Sequence, residues 1–257
     1  MNYFDFTNKV AVVFGASSGI GKAAALGYGD SGAKVAVLAR RKEKLDDLVK
    51  EMHDKGYIAT AFECDVTNEE SIKKAAKEVV EKYGKIDILF NNAGIAVPGS
   101  VENITVEQWN KSMNTNVRGA YMAMKYLIPE MKKNNYGKVI NTASVNAVLF
   151  DKNEDLVRHA YNVSKSAMVG LTKAAAATYM KDGITINTIG PGLFETEMTE
   201  GTLFKHEGFM KAYNASNPAG RPGKMEELIG TIMYLSSDAS NYVTGQLILV
   251  DGGITLV

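Results

Sequence analysis

The 257-residue chain has a single cysteine, Cys64, so no intrachain disulfide can form. That fits a reducing cytosol better than a secreted, disulfide-stapled scaffold. Charge of either sign is also missing as an excess: 29 Lys plus Arg balance 29 Asp plus Glu. A nucleic-acid binder shows a basic footprint, so nucleic acid is not an expected partner. No apolar run approaches the ~18 residues that a membrane span requires, so no membrane partner is expected either. The opening Met-Asn-Tyr-Phe-Asp-Phe lacks a cationic stretch leading into an apolar one, so no signal peptide is expected. His53, His159 and His206 show no ligand spacing with acids or with the cysteine, so no metal site is expected. Linkers, repeats and low-complexity tracts are absent, and residues 1–257 read as one domain. A chain this long buries roughly 70–75% of its unfolded surface and needs no covalent staple.

What is present is an alternation of short apolar runs with longer amphipathic ones. Strands are expected at Lys9–Phe14, Lys34–Ala39, Ile58–Glu63, Ile86–Phe90, Lys138–Thr142, Ile184–Ile189 and Gln246–Val250. Helices are expected at Gly19–Ser31, Arg41–Lys55, Thr67–Tyr83, Thr105–Lys133, Arg158–Lys181 and Met225–Ser236, two of them opened by capping boxes, Thr67-x-x-Glu70 and Thr105-x-x-Gln108. Apolar, β-branched strands separated by helices predict an α/β fold, a Rossmann-type doubly wound seven-stranded parallel sheet with helices on both faces. Ligands in such folds bind outside the carboxyl ends of the strands.

The motifs fall at those ends. Gly15-Ala-Ser17-Ser18-Gly19-Ile20-Gly21 links the first strand to the first helix; glycines there let backbone approach a phosphate that helix-terminal amides bind, or serve only a tight turn. The second strand ends in Ala39-Arg40-Arg41-Lys42, with no acid to take a ribose 2′-hydroxyl. Cations in a first helical turn oppose the macrodipole by about 0.3–1 kcal/mol each, and a bound 2′-phosphate would explain them; a solvated charge run is the alternative. NADP(H) is therefore the expected cofactor, with NAD(H) possible, and Arg40 is the residue expected on the 2′-phosphate, with Arg41 and Lys42 as helpers. Asp65-Val66 would meet adenine or cap a turn, and Asn91-Asn92-Ala93-Gly94 would let a flat ligand lie close or form an Asx turn. Tyr161 and Lys165 share a helical face, where the ammonium would lower the phenol pKa toward a working acid–base; a chance surface pair is the alternative. Ser144 follows the fifth strand and can bond a substrate oxygen, and Asn116 is a poor helix former inside a long helix.

Together these residues resemble the short-chain dehydrogenase/reductase family over almost the full length. Gly15-x-x-x-Gly19-x-Gly21, Asn91-Asn92-Ala93-Gly94, Asn116, Ser144, Tyr161-x-x-x-Lys165, Pro191-Gly192 with Thr196, and Asp251-Gly-Gly253 stand in the family's order. The resemblance implies Tyr161 as catalytic acid or base, Lys165 binding the nicotinamide ribose, Ser144 holding the reacting oxygen, Asn116 binding a relay water and Thr196 meeting the carboxamide. It also implies a homotetramer built through long helices, for which the alanines at Ala174–Ala177 would suit close contact or equally a buried core face. Phe14 stands where the family has threonine, and the Ser144–Tyr161 interval is longer by roughly four residues, a stretch that includes Asp151–Asp155.

The expected activity is interconversion of a secondary alcohol and a ketone. Between Pro191-Gly192 and Pro218, a lid at about 193–218 carries Leu193, Phe194, Met198, Leu203, Phe204, Phe209, Met210 and Tyr213. Phe194, Phe204 and Phe209 would then help bury an apolar substrate body such as a hydroxysteroid or bile acid, or else pack the lid onto the domain. Sugar-acid dehydrogenases of gluconate 5-dehydrogenase type, β-ketoacyl-carrier-protein reductases and a non-catalytic cofactor-binding protein are the other readings.

Overall fold

The computed structural model describes residues 3–150 and 156–257; the insertion Asp151–Asp155, expected to border the substrate, lies outside the described residues. The strands are β1 (Val10–Phe14), β2 (Lys34–Ala39), β3 (Ile58–Glu63), β4 (Ile88–Asn91), β5 (Gly137–Thr142), β6 (Ile184–Pro191) and β7 (Leu247–Val250). They form one parallel sheet in the order β3-β2-β1-β4-β5-β6-β7. The helices are α1 (Gly19–Asp30), α2 (Lys42–Asp54), α3 (Glu69–Tyr83), α4 (Val106–Met113), α5 (Gly119–Lys132), α6 (His159–Tyr179), the single turn α7 (Glu197–Thr199), α8 (Glu207–Ser216) and α9 (Met225–Ser236).

The central strands are buried along their whole length, as strands covered on both faces must be. The period of two divides them. Ala11 and Val13 of β1 join Leu45, Leu48 and Met52 of α2 and Leu228 and Ile232 of α9 on one face. Val12 and Phe14 join Ile72 and Val79 of α3 and Leu127 and Met131 of α5 on the other. Strand order reverses between β1 and β4, which makes the crevice beyond their carboxyl ends the ligand site of such a sheet.

Helices α7 and α8 fall in the lid, where no helix is expected, and two further elements differ from the sequence expectation. The long helix from Thr105 is interrupted: residues Asn114–Arg118 form a π turn between α4 and α5. The first capping box also shifts by one residue. Thr67 turns its hydroxyl to Asp65 Oδ1 (2.8 Å), and Asn68 caps α3 by accepting from Ser71 N–H (3.1 Å). The second box forms as expected, with Thr105 and Gln108 bonding reciprocally.

The opposite, amino end of the sheet holds a buried cation. Lys138 is 1% exposed and donates to Asn241 Oδ1 (2.6 Å), while burial lowers its pKa to about 8. Nearby, Tyr136 donates to Asp238 (3.1 Å) and takes the Lys9 ammonium over its ring at 3.5 Å.

Candidate active site

The loop after β1 is shaped by glycine. Gly15 has φ +75°, and a Cβ there would lie 2.7 Å from the Ala93 backbone nitrogen; a Cβ on Gly21 would lie 2.2 Å from the Gly15 carbonyl. Only glycines let the β1–α1 and β4 loops close on each other. The tie that Phe14 cannot make with a hydroxyl is made by Asn92, whose N–H donates to Phe14 O (3.2 Å) and whose amide donates to Gly15 O (3.3 Å); Phe14 itself is core. Ser18 is the N-cap of α1, yet its side chain makes no cap bond. Its hydroxyl and that of Ser17 instead receive the Arg41 guanidinium, at 3.0 and 2.9 Å. Arg41, rather than Arg40, is thus directed to the loop, although both line the cleft and both are exposed. The amides, hydroxyls and guanidinium gathered here are all donors, which suits a phosphate-bearing nucleotide.

The cleft encloses about 410 Å³. Its lining includes Ile20, Asp65, Val66, Asn92, Ala93 and Gly94 on the way from Arg41 to Ser144, Tyr161 and Lys165, with Pro191, Gly192 and Thr196 on the far wall. Asp65 is partly spent on Thr67, from whose N–H it also accepts (2.9 Å). Thr196 closes over the phosphate loop, where a Cβ on Gly19 would meet its side chain at 3.3 Å.

At the other end, α6 sets the chemistry. Asn162 and Ser166 on α6 donate to the carbonyls of Asn146 and Ala147 (3.1 and 2.9 Å), fixing the loop that carries Ser144. Lys165 is buried and donates to Thr142 O (2.8 Å), with its Nζ 5.4 Å from the Tyr161 ring centroid. Asn116, in the π turn, bonds Ile95 through both N–H and C=O (2.8 Å each) and donates to Ser164 on α6 (2.9 Å). π turns recur where a helix must re-aim a functional side chain.

The electrostatics correct one expectation. The Tyr161 pKa is raised, not lowered: burial outweighs the hydrogen bond from Ser144 and the nearby Arg158 charge. The Lys165 ammonium points at a carbonyl instead of the phenol, and burial brings its own pKa down to about 8.

The lid aromatics divide. Phe194 lines the cleft, but its ring also packs where a Cβ on Gly223 would lie 2.3 Å from it. Phe204 and Phe209 are not among the lining residues; Phe209 stacks on Tyr213 with centroids 6.1 Å apart. Met198, one of the expected lid side chains, does line the cleft, and cleft residues that the motif reading missed include Ile95, Thr115, Thr199 and Glu197. Glu197 receives both Arg41 (3.0 Å) and Lys44. Its only sequence signal is adjacency to Thr196. Among the described residues no helix is long and apolar enough to cross a membrane, and no His/Cys/Asp/Glu group could hold a metal.

A seven-stranded parallel sheet with a nucleotide-type cleft at its switch point defines the class of Rossmann-type dinucleotide-binding proteins. The family model described as enoyl-(acyl carrier protein) reductase matches residues 15–255. The 3-oxoacyl-[acyl-carrier-protein] reductase FabG of Thermotoga maritima is 36% identical, over 96% of this chain and 98% of that protein. Gluconate 5-dehydrogenase of Gluconobacter oxydans is also 36% identical, over 98% of this chain and 97% of that protein. The crystal structure of a gluconate 5-dehydrogenase from Burkholderia cenocepacia in complex with NADP and tartrate superposes with a TM-score of 0.93 at 32% identity, covering 100% of this chain and 98% of that one. The chain belongs to the short-chain dehydrogenase/reductase family, the NAD(P)-dependent oxidoreductases of CH–OH donors.

Proposed function

We propose that the protein interconverts a secondary alcohol and a ketone, with NADP(H) preferred and NAD(H) admitted. The observation that carries this is a single cleft with phosphate donors at one end and the Ser144–Tyr161 hydroxyl pair at the other. Gly15, Ser17, Ser18, Gly19 and Gly21 would hold the pyrophosphate, Arg41 with Arg40 the 2′-phosphate, Asp65 and Val66 the adenine, Asn92, Ala93 and Gly94 the middle, and Pro191, Gly192 and Thr196 the nicotinamide. The bound nicotinamide supplies or takes the hydride.

Tyr161 holds the proton for the carbonyl oxygen. Its raised pKa keeps the phenol protonated through neutral pH, which suits reduction. Ser144 donates a second bond to the same oxygen, stabilising the charge that builds there. Lys165 presents its ammonium to the ribose hydroxyls from the Thr142 carbonyl that anchors it. Asn116 has both amide protons committed, so a relay water would use the remaining lone pair of its oxygen.

The apolar side chains lining the cleft include Ile95, Phe194 and Met198, and its cations include Arg40 and Arg41 beside the phosphate loop. This supports an apolar-bodied alcohol or ketone, such as a hydroxysteroid or bile acid. A second reading, a sugar acid or β-ketoacyl substrate, is favoured by the relatives named above and by the Arg158 charge felt at Tyr161, which would offset a substrate carboxylate. The deciding experiment measures NADPH- and NADP⁺-linked turnover on hydroxysteroids, gluconate and a 3-oxoacyl thioester. Steroid turnover supports the first reading; gluconate turnover with no steroid turnover replaces it with the second. A homotetramer is supported by the exposed small residues Gly170, Ala174 and Ala177 on α6, and a reducing, cytoplasmic setting by the buried free thiol of Cys64.

A further inference from the structure

The cations at the adenosine end already hold an anion. Arg41 is the N-cap of α2 and Lys44 lies in its first turn, and both reach across the cleft mouth to one carboxylate, Glu197, at the start of the lid. The neighbouring Lys42 is occupied separately by Asp46, four residues on (2.6 Å). Glu197 is ionised throughout the neutral range: the Lys44, Arg41 and Ser18 hydrogen bonds hold its pKa at about 2. Arg41, meanwhile, is the same guanidinium that holds Ser17 and Ser18 at the phosphate loop. A carboxylate and a phosphate monoester present similar oxygens to a guanidinium fork, so they draw on the same donors.

We propose that Glu197 is an intramolecular competitor for the cofactor's 2′-phosphate, and thereby sets how strongly this chain separates NADP(H) from NAD(H). The inference rests on the cofactor reading above. A nucleotide carrying the 2′-phosphate must displace Glu197 from Arg41 and Lys44, whereas one with a free 2′-hydroxyl binds with the carboxylate in place. The displacement is feasible because the three side chains are about half exposed, at 47%, 44% and 49%, and exposed ion pairs are weak. Glu197 also sits next to Thr196, so the exchange takes place where the lid meets the phosphate loop.

The experiment is calorimetric titration of the full chain with adenosine 2′,5′-bisphosphate and with 5′-AMP, in wild type, Glu197→Gln and Glu197→Asp. Glutamine keeps the shape and removes the charge. The expected result is that Glu197→Gln binds the bisphosphate about three- to tenfold tighter, with 5′-AMP affinity unchanged within about twofold. Glu197→Asp, which keeps the charge on a shorter arm, should fall between. Circular dichroism melting confirms that each variant is folded. Unchanged or weaker bisphosphate binding in Glu197→Gln, with both nucleotides still binding, overturns the inference alone, since Glu197 would then only order Arg41. Binding of neither nucleotide to the wild type overturns the cofactor reading and the inference with it.

Discussion

Tyr161 is the residue on which the proposed chemistry turns. Replacing it with phenylalanine removes the transferable proton but little volume, so turnover should fall by about 10²–10⁴ while nucleotide binding by fluorescence quenching is retained. Near-normal turnover in that variant would refute the acid–base role. The raised phenol pKa gives a signed pH dependence: oxidation, which needs the phenolate, should climb through alkaline pH, whereas reduction should hold level from pH 6 into the neutral range. Nucleotide affinity should decline as pH passes about 8, where Lys165 loses its charge. For the adenosine end, Arg41→Ala should weaken NADPH binding much more than NADH binding, and Arg40→Ala should have the smaller effect; equal losses from both would refute the assignment. The motif residues were legible because each chemical type stood at a fixed offset from a strand end. The choice between Arg40 and Arg41 was not, because adjacent side chains on a loop have no periodicity to say which one turns toward Ser17 and Ser18. The direction of the Tyr161 shift was hidden for a related reason: helical spacing places Lys165 on the same face but does not reveal that Thr142 O captures its ammonium.

Among the elements, the π turn at Asn114–Arg118 is the one the sequence concealed. Apolar spacing on either side of it reads as one helix, and a single extra residue in the turn leaves little trace in composition. Its function in the fold is clear from Asn116, which satisfies both main-chain groups of Ile95. Asn116→Ala should leave them unpaired, at about 1–3 kcal/mol for each group, and lower both the melting temperature and turnover. A variant as stable as wild type in urea denaturation would contradict this. The strands were read well because a parallel sheet buries them on both faces, and the lid aromatics poorly because apolar content alone does not separate packing onto the domain from facing a ligand. On β5, Lys138 makes a separate prediction. Its folded pKa, about 8, lies below the ordinary lysine value of 10.5, so folding disfavours its proton. The cost is fully present below pH 8 and is relieved as pH rises toward 10, so stability should rise across that window. Lys138→Met should flatten the rise, measured as urea midpoints at pH 8 and 9.5. An unchanged slope would show that Asn241 and Ser240 already compensate the charge.

At the scale of the molecule, the site is assembled from stretches far apart in sequence: the loop after β1, the ends of β4 and β5, the first two turns of α6 and the segment after β6. What brings them together is the common direction of the strands, which puts every β-to-α connection at one end of the sheet. The amino end ties the frame together: Lys138 of β5 donates to Asn241, and Asp87, just before β4, accepts from the Val10 N–H of β1 (2.8 Å). One small-residue face, formed by Gly170 and Ala174, projects from α6 on the side away from the core. Sedimentation equilibrium should give a mass of four chains, and Ala174→Arg should shift it downward. A monomer at micromolar concentration in the wild type would exclude the homotetramer.

The strand order also bears on how the chain acquires its structure. β2 and β3 add outward from one side of β1, and β4, β5, β6 and β7 add outward from the other, each beside a strand already made. No strand has to be inserted between two that are already paired. Growth during synthesis can therefore proceed edge by edge from the amino terminus, with the newest strand always added at a rim, which limits the slow, non-local searching that burdens parallel sheets. Pulse-labelling hydrogen exchange during refolding should find amides of β1, β2 and β4 protected before those of β6 and β7; simultaneous protection of all seven would mean that the sheet condenses as one unit.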